Sequence, residues 1–362
     1  MNARGIAGRL LVGVSVVVLL GGCATGATFS PSPTPVATAT PPVPVASPSP
    51  VATPTPAPTP SVVETDDIAY ETANPVLVPG MLDVYAPTTA GPWPVVVMFH
   101  PLPSQVSKDS LIELARKVAD LGFVVFVPAW GHPSDGRYGS AGGAPTYDQL
   151  LAQNSEAACA VAFAQAHAAE YGGDPATMIV FGWSSGAGVG AMVVFARPEP
   201  TAGCLADTTL GAIDALVTWE GDWILSREAL GWDNLLAADS RLLVNDTPWP
   251  YVAEHKDVRV VMLVSEHPGD SYEREVGDPW ADDSWLAARD PSGVLRRQLE
   301  ANGAFADGTL DFVEVQELLF SVLQAQGNPV SLDVMPDSTH YTLSDAGWKV
   351  FLAAFPKAAA RD

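Results

Sequence analysis

A serine between two glycines is the residue of this sequence best suited to nucleophilic chemistry. The segment Gly182-Trp183-Ser184-Ser185-Gly186 has the pattern G-x-S-x-G. A serine hydroxyl is a weak nucleophile unless it is exposed close to a base, and a sharp strand-to-helix turn exposes it. Small residues on either side avoid clashes in such a strained turn, which explains the two glycines. The pattern predicts that Ser184 is a nucleophile; the alternative is a glycine-rich structural turn.

The residues around Ser184 have the strand and helix character that this turn requires. Met178–Phe181 is an apolar run that ends just before the pentapeptide. Small residues, among them Ala187, Gly190 and Ala191, follow it and would let a helix pack closely on a sheet. The sequence therefore predicts a strand, a turn at Ser184 and a helix, in that order.

Apolar runs and helical patterns alternate through most of the chain. Pro94–His100 and Gly122–Pro128 are continuous apolar runs, as in strands buried on both faces. Further strands are predicted at Met81–Tyr85, Thr177–Gly182, Ile213–Trp219, Val258–Val264 and Val330–Met335. Helices are predicted at Leu111–Leu121, Tyr147–Tyr171, Ser185–Phe195 and Val313–Gln326. This alternation predicts an α/β protein with a mostly parallel central sheet and helices on both faces.

The N-terminal residues have the composition of a targeting segment. Arg4 and Arg9 precede the apolar run Leu10–Leu20, which is too short to span a membrane as a helix. The run ends in Leu20-Gly21-Gly22-Cys23, which resembles the lipobox of bacterial lipoproteins, whose cysteine carries the lipid. We expect a signal peptide at 1–22, a lipid on Cys23 and an extracytoplasmic, membrane-anchored protein. The alternative is an ordinary signal peptide with a chance cysteine.

A proline-rich linker separates this segment from the globular part. Residues 28–62 consist almost wholly of Pro, Ser, Thr, Ala and Val and include twelve prolines. Such a stretch is extended and semi-rigid, and it reaches up to ~100 Å at about 3.1 Å per residue. We expect an anchor and linker at 23–67 and one catalytic domain at 68–362.

The charge balance excludes some classes of partner. The formal net charge is -23, which argues against nucleic acid and against electrostatic binding to anionic lipid. Solubility is the simpler interpretation of this acidity, and attraction of a cationic substrate is the alternative.

The stretch from Tyr171-Gly172-Gly173-Asp174-Pro175 through the strand to GWSSGAG resembles the α/β-hydrolase superfamily, especially its bacterial esterase and dienelactone-hydrolase-like members. The resemblance runs from about Met81 to Phe355. It implies the α/β-hydrolase fold. Two stretches rich in Trp and acidic residues interrupt the strand–helix alternation and are predicted insertions after strands 6 and 7, at Asp222–Asp257 and Ser271 to about Asp311. The motifs that carry the resemblance are specific for the superfamily and not for the substrate; a small-molecule ester substrate and no cofactor are expected from the serine chemistry. Dienelactone hydrolases themselves carry a Cys nucleophile, so their activity is not implied.

The resemblance also supplies roles for a base and an acid, which follow the serine in the order acid, then histidine. His340 comes just after the last predicted strand, where the family places its catalytic histidine; a surface loop histidine is the alternative. The family usually takes its acid from the loop after the next-to-last strand, where Asp270 is the predicted acid. The other carboxylates within reach are Glu266, Asp278, Asp282, Glu220 and Asp222. No histidine pair has metal-ligand spacing, so no metal site is expected.

An oxyanion hole needs backbone N–H donors. One is expected from Ser185, directly after the nucleophile. The second is expected in His100-Pro101-Leu102-Pro103, where the family pattern places the donor two residues after the histidine. Proline has no N–H, so Leu102 is the donor left between the prolines.

Two cysteines and several tryptophans remain. Cys159 and Cys204 form a matched pair in an oxidising compartment, and in the implied fold their helices share one face of the sheet. We expect a disulfide; two buried free thiols are the alternative. Tryptophans in or near the insertions either line an apolar or aromatic acyl pocket or form small cores of their own, and the sequence does not favour one of these. The set includes Trp183, Trp219, Trp223, Trp249, Trp280 and Trp285.

Together these features predict a serine hydrolase that cleaves a carboxylic ester through an acyl-enzyme. One alternative is a serine peptidase of the prolyl-oligopeptidase type, which usually carries a propeller that this sequence lacks. A non-catalytic binding lipoprotein that has kept the fold is the other.

Overall fold

The strands predicted from apolar runs form one sheet in the computed structural model of the protein. The structure describes residues 61–72, 80–101, 107–131, 147–206, 209–221, 248, 251–267, 281–282, 300, 309–310 and 312–355. The strands are β1 Val62–Ala69, β2 Met81–Pro87, β3 Trp93–Phe99, β4 Val124–Pro128, β5 Gly173–Trp183, β6 Ala215–Trp219, β7 Arg259–His267, β8 Ala281–Asp282, β9 Thr309–Leu310 and β10 Val330–Thr339.

Eight of these strands are hydrogen-bonded in the order β1-β2-β4-β3-β5-β6-β7-β10. β2 pairs antiparallel with β1 and with β4, and the other neighbours pair parallel. The short strands β8 and β9 pair with each other in a separate two-stranded sheet. The predicted mostly parallel sheet is therefore confirmed, and the carboxyl ends of its parallel strands meet at one edge.

Helices cover both faces of the sheet. They are α1 Ile112–Asp120, α2 Tyr147–His167, α3 Ser185–Ala191, α4 Phe312–Gln326 and α5 Asp345–Ala353. Short 3₁₀ turns flank α1 and α2, and α3 continues as a π-helical turn over Met192–Ala196. The sequence pattern predicted α1 to α4 with their ends correct to within a few residues, but it did not predict α5.

Two hydrophobic clusters, one on each face, explain why the central strands are apolar throughout. Val180 of β5 belongs to the cluster that packs under α2, α3 and α4. Its neighbours Ile179 and Phe181 belong to the other cluster, which packs under α1 and α5. Because successive side chains of a strand point to opposite faces, a strand covered on both faces needs no polar position.

The sheet begins before the domain boundary predicted at residue 68. β1 starts at Val62 and pairs with β2 over its whole length, from Val62 opposite Pro87 to Ala69 opposite Met81. Most side chains of this edge strand are exposed, so its acidic sequence has the composition of a linker. Arg116 of α1 binds the Glu64 carboxylate with donor–acceptor distances of 2.6 and 2.8 Å.

The predicted disulfide is present. It joins Cys159 of α2 to Cys204 after the π-helical turn, with a Cα–Cα distance of 5.5 Å. Cys204 also forms a β-bridge with Glu71, just after β1. The disulfide thus ties α2 to the segment at Cys204, and the β-bridge connects that segment to the chain just after β1.

Several sequence predictions lie outside the described residues. They are the lipid site Cys23, the linker up to residue 60, Leu102, Asp270 and most of the two insertions. Within the residues that are described, no helix has the length and hydropathy needed to cross a membrane.

Candidate active site

Ser184 lies at a strained turn between β5 and α3. Its φ of 55° and ψ of -125° are unfavourable for any residue with a side chain. A Cβ on Gly182 would lie 2.2 Å from the Gly186 carbonyl oxygen, and a Cβ on Gly186 would lie 2.3 Å from that of Phe99. Both positions therefore require glycine, for the steric reason that the sequence pattern suggested.

The neighbouring strand holds this turn in place. The Ser184 N–H donates to the Trp219 carbonyl oxygen at 2.9 Å. Trp183 and Trp219 are register partners in β5 and β6, and their rings stack with centroids 4.6 Å apart. The ends of β5 and β6 are thus fixed against each other next to the serine.

His340 follows β10 at the same edge of the sheet and is fully buried. A hydrogen bond joins its Nδ1 to Oε2 of Glu220. When Nδ1 carries the ring proton and donates a hydrogen bond to the carboxylate, Nε2 is the basic nitrogen of the ring. The His340 ring centroid lies 6.0 Å from that of Trp183, the residue before the serine.

Glu220 is the first residue after β6, and its side chain is as buried as that of His340. Its φ of 50° turns the chain sharply at the strand end, and its N–H donates to the Leu263 carbonyl oxygen at 3.0 Å. The second carboxylate oxygen, Oε1, accepts the Ser265 N–H at 2.5 Å. Both oxygens of this buried carboxylate therefore have a partner, as a buried charge requires.

Ser265 joins the three strand ends around this pair. Its hydroxyl donates to the Thr339 carbonyl oxygen at 2.9 Å and accepts the Trp219 indole N–H at 3.2 Å. Thr339 directly precedes His340, so the network fixes the backbone from which the histidine projects. No sequence signal marks Ser265, because a lone serine at a strand end belongs to no chemical motif.

Among the other predicted acids, Glu266 is the one whose side chain the structure describes. Asp270, Asp222 and Asp278 lie outside the described residues. Glu266 is exposed, and its Oε2 accepts the Asp337 N–H at 2.9 Å. Glu220, which sequence reasoning left among the alternatives, is the carboxylate beside the histidine.

The segment after β3 packs directly on the turn. Besides approaching the Phe99 oxygen, a Cβ on Gly186 would lie 2.6 Å from the His100 carbonyl oxygen. His100 is buried, and its Nδ1 is 3.0 Å from the Pro101 oxygen, while the Trp130 indole donates to the His100 oxygen at 3.1 Å. His100 thus holds the shape of the segment that leads to Leu102. Ser185, the predicted first donor, is the first residue of α3 and directly follows the Ser184 turn.

A second buried carboxyl group lies behind this edge of the sheet. Glu156 of α2 is 1% exposed; its Oε2 accepts the Gly131 N–H at 2.9 Å, and its Oε1 is 3.3 Å from the Tyr70 hydroxyl. Burial is the main cause that raises the pKa of Glu156 to about 8. The carboxyl group is therefore largely protonated at neutral pH, and it anchors the chain just after β4.

One exposed group of side chains in the described residues offers three metal-ligand atoms. The ligand atoms of Glu266, His267 and Asp337 lie within 4.8 Å of one another. One of these carboxylates already accepts a backbone N–H, and exposed acidic groups of this kind are common. The absence of a metal site stays a prediction.

Comparisons with known proteins find similarity in structure. No family model and no curated protein sequence matches the chain. A thermophilic esterase of the Planctomycetes species Thermogutta terrifontis, with propionate bound, superimposes with a TM-score of 0.54 at 16% identity, covering 82% of this chain and 93% of that one. The native form of that esterase gives 0.53 at 17% identity, covering 82% and 90%.

A third structure is the same esterase phosphoramylated by tabun, with a TM-score of 0.52 at 17% identity and coverage of 82% and 93%. At such low identity these similarities concern the fold. The similar fold agrees with the order of the eight strands in the sheet and with the strand-to-helix turn at Ser184. The chain therefore has the α/β-hydrolase fold, a mostly parallel sheet with helices on both faces.

Proposed function

We propose that this protein is a serine hydrolase that cleaves carboxylic esters with the triad Ser184, His340 and Glu220. The observation that carries the proposal is the buried His340–Glu220 pair at the sheet edge that carries the strained Ser184 turn. A serine, a base and a carboxylate that orients the base are the three parts that activate a hydroxyl nucleophile.

Each residue has one role in the reaction. The Ser184 Oγ attacks the ester carbonyl carbon while Nε2 of His340 takes the hydroxyl proton, and Glu220 stabilises the imidazolium without being protonated. The carbonyl oxygen becomes an oxyanion that the Ser185 N–H stabilises, with Leu102 as the expected second donor. The carbon–oxygen bond to the alcohol then breaks, and the imidazolium gives its proton to the leaving oxygen. This leaves an acyl group on Ser184.

Water completes the cycle. His340 removes a proton from a water molecule, whose oxygen attacks the acyl carbon, and the bond to the Ser184 Oγ breaks as the serine regains its proton. The products are an acid and the free enzyme, so no cofactor takes part in any step.

Glu220 replaces Asp270 as the proposed acid because its contacts match the role. An orienting carboxylate must bind Nδ1 of the histidine and be held rigidly itself. Oε2 of Glu220 binds Nδ1 of His340, and Oε1 binds the Ser265 N–H. The glutamate thus follows β6, whereas sequence reasoning placed the acid after β7.

An ester is the proposed substrate because the solved structures of similar fold belong to an esterase. That esterase has been described with propionate and with butyrate bound, and either is the acid product expected from a short ester. No described contact favours a peptide substrate, and the intact serine and histidine argue against a purely binding role.

The proposed location is outside the cytoplasm, with a lipid on Cys23 as the anchor. The lipobox-like Leu20–Cys23 segment supports this location, and so does the disulfide Cys159–Cys204, since disulfides persist in oxidising compartments. The linker at 28–62 would hold the domain away from the membrane.

The triad is tested with a fluorophosphonate probe and p-nitrophenyl butyrate. We expect the probe to label Ser184, and Ser184→Ala and His340→Ala each to lower kcat by ~10⁴-fold or more. The double variant should be little worse than either single one, because triad members act as a unit. Glu220→Gln should lower kcat by about 10²- to 10⁴-fold, because the histidine loses the group that fixes its tautomer.

Two matched acids serve as controls. Asp270→Asn and the exposed Glu266→Gln should remain within a few-fold of wild type, with far-UV circular dichroism to confirm folding. A collapse of activity in Asp270→Asn with near-normal activity in Glu220→Gln would show that the acid is assigned wrongly. Full esterase activity in Ser184→Ala would refute the mechanism itself.

A further inference from the structure

A buried glutamine of α4 contacts the chain directly after Glu220, the proposed acid of the triad. The Gln316 side-chain nitrogen Nε2 donates to the Gly221 carbonyl oxygen at 2.7 Å. Gln316 is 1% exposed, and Gly221 is buried as well. The opposite orientation of the amide would place two oxygen atoms against each other, so the nitrogen is the atom that faces Gly221.

Gln316 interrupts an apolar stripe of its helix. Leu319 and Leu323 follow it on the same face of α4, and both are fully buried in the hydrophobic cluster under this helix. A hydrophobic residue at position 316 would simply continue the stripe. The second amide atom, Oε1, is buried without a hydrogen-bond partner among the described residues, and a buried acceptor without a donor is unfavourable. Packing therefore gives no reason for an amide at this position, whereas the bond to Gly221 does.

The direction of α4 explains why Gln316 reaches the edge of the sheet that carries the triad. α4 is followed by β10 after a short connection, so the helix runs antiparallel to the strand. The first turns of the helix, which include Gln316, therefore lie at the carboxyl edge of the sheet. Glu220 after β6 and His340 after β10 are at that same edge.

The bond to Gly221 supports a backbone that needs support. Glu220 has a φ of 50°, in the left-handed region that a residue with a side chain rarely adopts. On its amino side the Glu220 N–H donates to the Leu263 carbonyl oxygen at 3.0 Å, and on its carboxyl side Gln316 holds the next carbonyl group. A glutamate side chain has several rotatable bonds, so its carboxylate stays against His340 only when the backbone that carries it is fixed.

We propose that Gln316 is a positioning residue of the triad, which holds Glu220 in place for His340 by binding the Gly221 carbonyl group. The proposal rests on the proposed ester hydrolysis and adds to it a residue from a helix that supplies none of the three triad members. Gln316 acts on the backbone of the acid and not on the substrate. Its removal should therefore slow the chemical step and leave substrate binding unchanged.

The test replaces the amide by an apolar side chain of similar size. Gln316→Met keeps the length of the side chain and continues the apolar stripe, but it cannot donate to Gly221. With p-nitrophenyl butyrate and the full-length protein, we expect kcat to fall about tenfold while KM stays within about twofold of wild type. Gln316→Leu should behave in the same way, and far-UV circular dichroism shows whether both variants are folded.

Asn328 offers a matched control near the amino edge of the sheet. It is 6% exposed, its side-chain nitrogen Nδ2 donates to the His255 carbonyl oxygen at 2.7 Å, and its Oδ1 also has no partner among the described residues. Asn328 lies just before β10, so it is at the opposite end of the strand from His340. Asn328→Leu removes a buried amide of the same kind, and its kcat and KM should stay within about twofold of wild type.

A double variant tests whether Gln316 acts through Glu220. Adding Gln316→Met to Glu220→Gln should lower kcat by less than about twofold further, because the carboxylate that Gln316 positions is already absent. A further loss of about tenfold would mean that the two residues act independently and would overturn the proposal.

Three other results would also overturn it. One is an unchanged kcat in Gln316→Met, and another is an equal loss of kcat in Asn328→Leu. The third is unfolding of both Gln316 variants while Asn328→Leu stays folded, because the glutamine would then be required for the fold and not for the position of the acid.

Proton NMR separates this proposal from the proposed function. The proton on Nδ1 of His340, in its bond to Glu220, is expected to give a downfield resonance that His340→Ala removes. This resonance should shift or broaden in Gln316→Met and stay unchanged in Asn328→Leu. If no ester is hydrolysed and the fluorophosphonate does not label Ser184, the proposed function fails, yet the resonance still reports on the pair. Identical spectra of Gln316→Met and wild type in this region would refute the positioning role.

Discussion

Replacing Glu156 by glutamine should make the protein more stable, and increasingly so as the pH rises. The buried carboxyl group accepts the Gly131 N–H and lies 3.3 Å from the Tyr70 hydroxyl, which itself donates to the Ala129 oxygen at 2.7 Å. A glutamine can keep both contacts, with its oxygen accepting from Gly131 and its amide donating to the Tyr70 oxygen. It therefore imitates the protonated acid.

The size of the stability difference between Glu156→Gln and wild type follows from the pKa of Glu156, which burial raises from 4.5 to about 8 in the folded protein. Below about pH 4.5 the group is protonated in both states and the buried charge costs nothing. Between about pH 4.5 and pH 8 the folded state holds a proton that the unfolded chain has released, so stability falls as the pH rises. At about 1.36 kcal/mol per pH unit, the loss by pH 8 is about 4–5 kcal/mol at most.

The assay is chemical denaturation followed by circular dichroism at each pH from 5 to 9. The free energy of unfolding of Glu156→Gln minus that of wild type should increase through this range and level off above about pH 8. Glu113→Gln is the control, because its side chain is 72% exposed and its pH curve should follow wild type. Parallel curves for Glu156→Gln and wild type would refute the reasoning.

Two further predictions concern the covalent features. Reduction of the disulfide between Cys159 and Cys204, which closes a loop with a sequence separation of 45 residues, should lower the free energy of unfolding by ~4 kcal/mol in the chain-entropy model. Denaturation with and without reductant measures this, and equal midpoints would contradict it. Cys23→Ser should release the protein from membranes or leave it as an unprocessed precursor. Unchanged membrane fractionation with normal processing would disprove the lipid anchor.

Most of the fold could be predicted from local pattern, and the exceptions have physical causes. Continuous apolar runs such as Pro94–His100 indicated strands covered on both faces, and the structure shows a hydrophobic cluster on each face. β1 was missed because an edge strand with one neighbour exposes most of its side chains. Its acidic residues fit a solvated linker equally well, and only the pairing with β2 distinguishes the two.

The residues of the candidate site also differ in how far the sequence could predict them. The strained turn at Ser184 was predictable because its neighbours Gly182 and Gly186 are required by contacts within a short segment and with the adjacent strand. The position of His340 just after the last strand was also predictable. The carboxylate was not, since an acidic chain offers several candidates after each strand and spacing along the sequence does not rank them.

The sequence by itself determined most of the elements and the turn that carries Ser184, because strand and helix patterns and the glycine-flanked turn depend on residues close along the chain. Only the tertiary structure decided which carboxylate lies beside the histidine. Glu220 and His340 are separated by 120 residues and meet because β6, β7 and β10 are neighbours in the sheet. Trp183, Trp219 and Tyr341 come together for the same reason. Contacts of this kind depend on the order of strands, which local sequence does not encode.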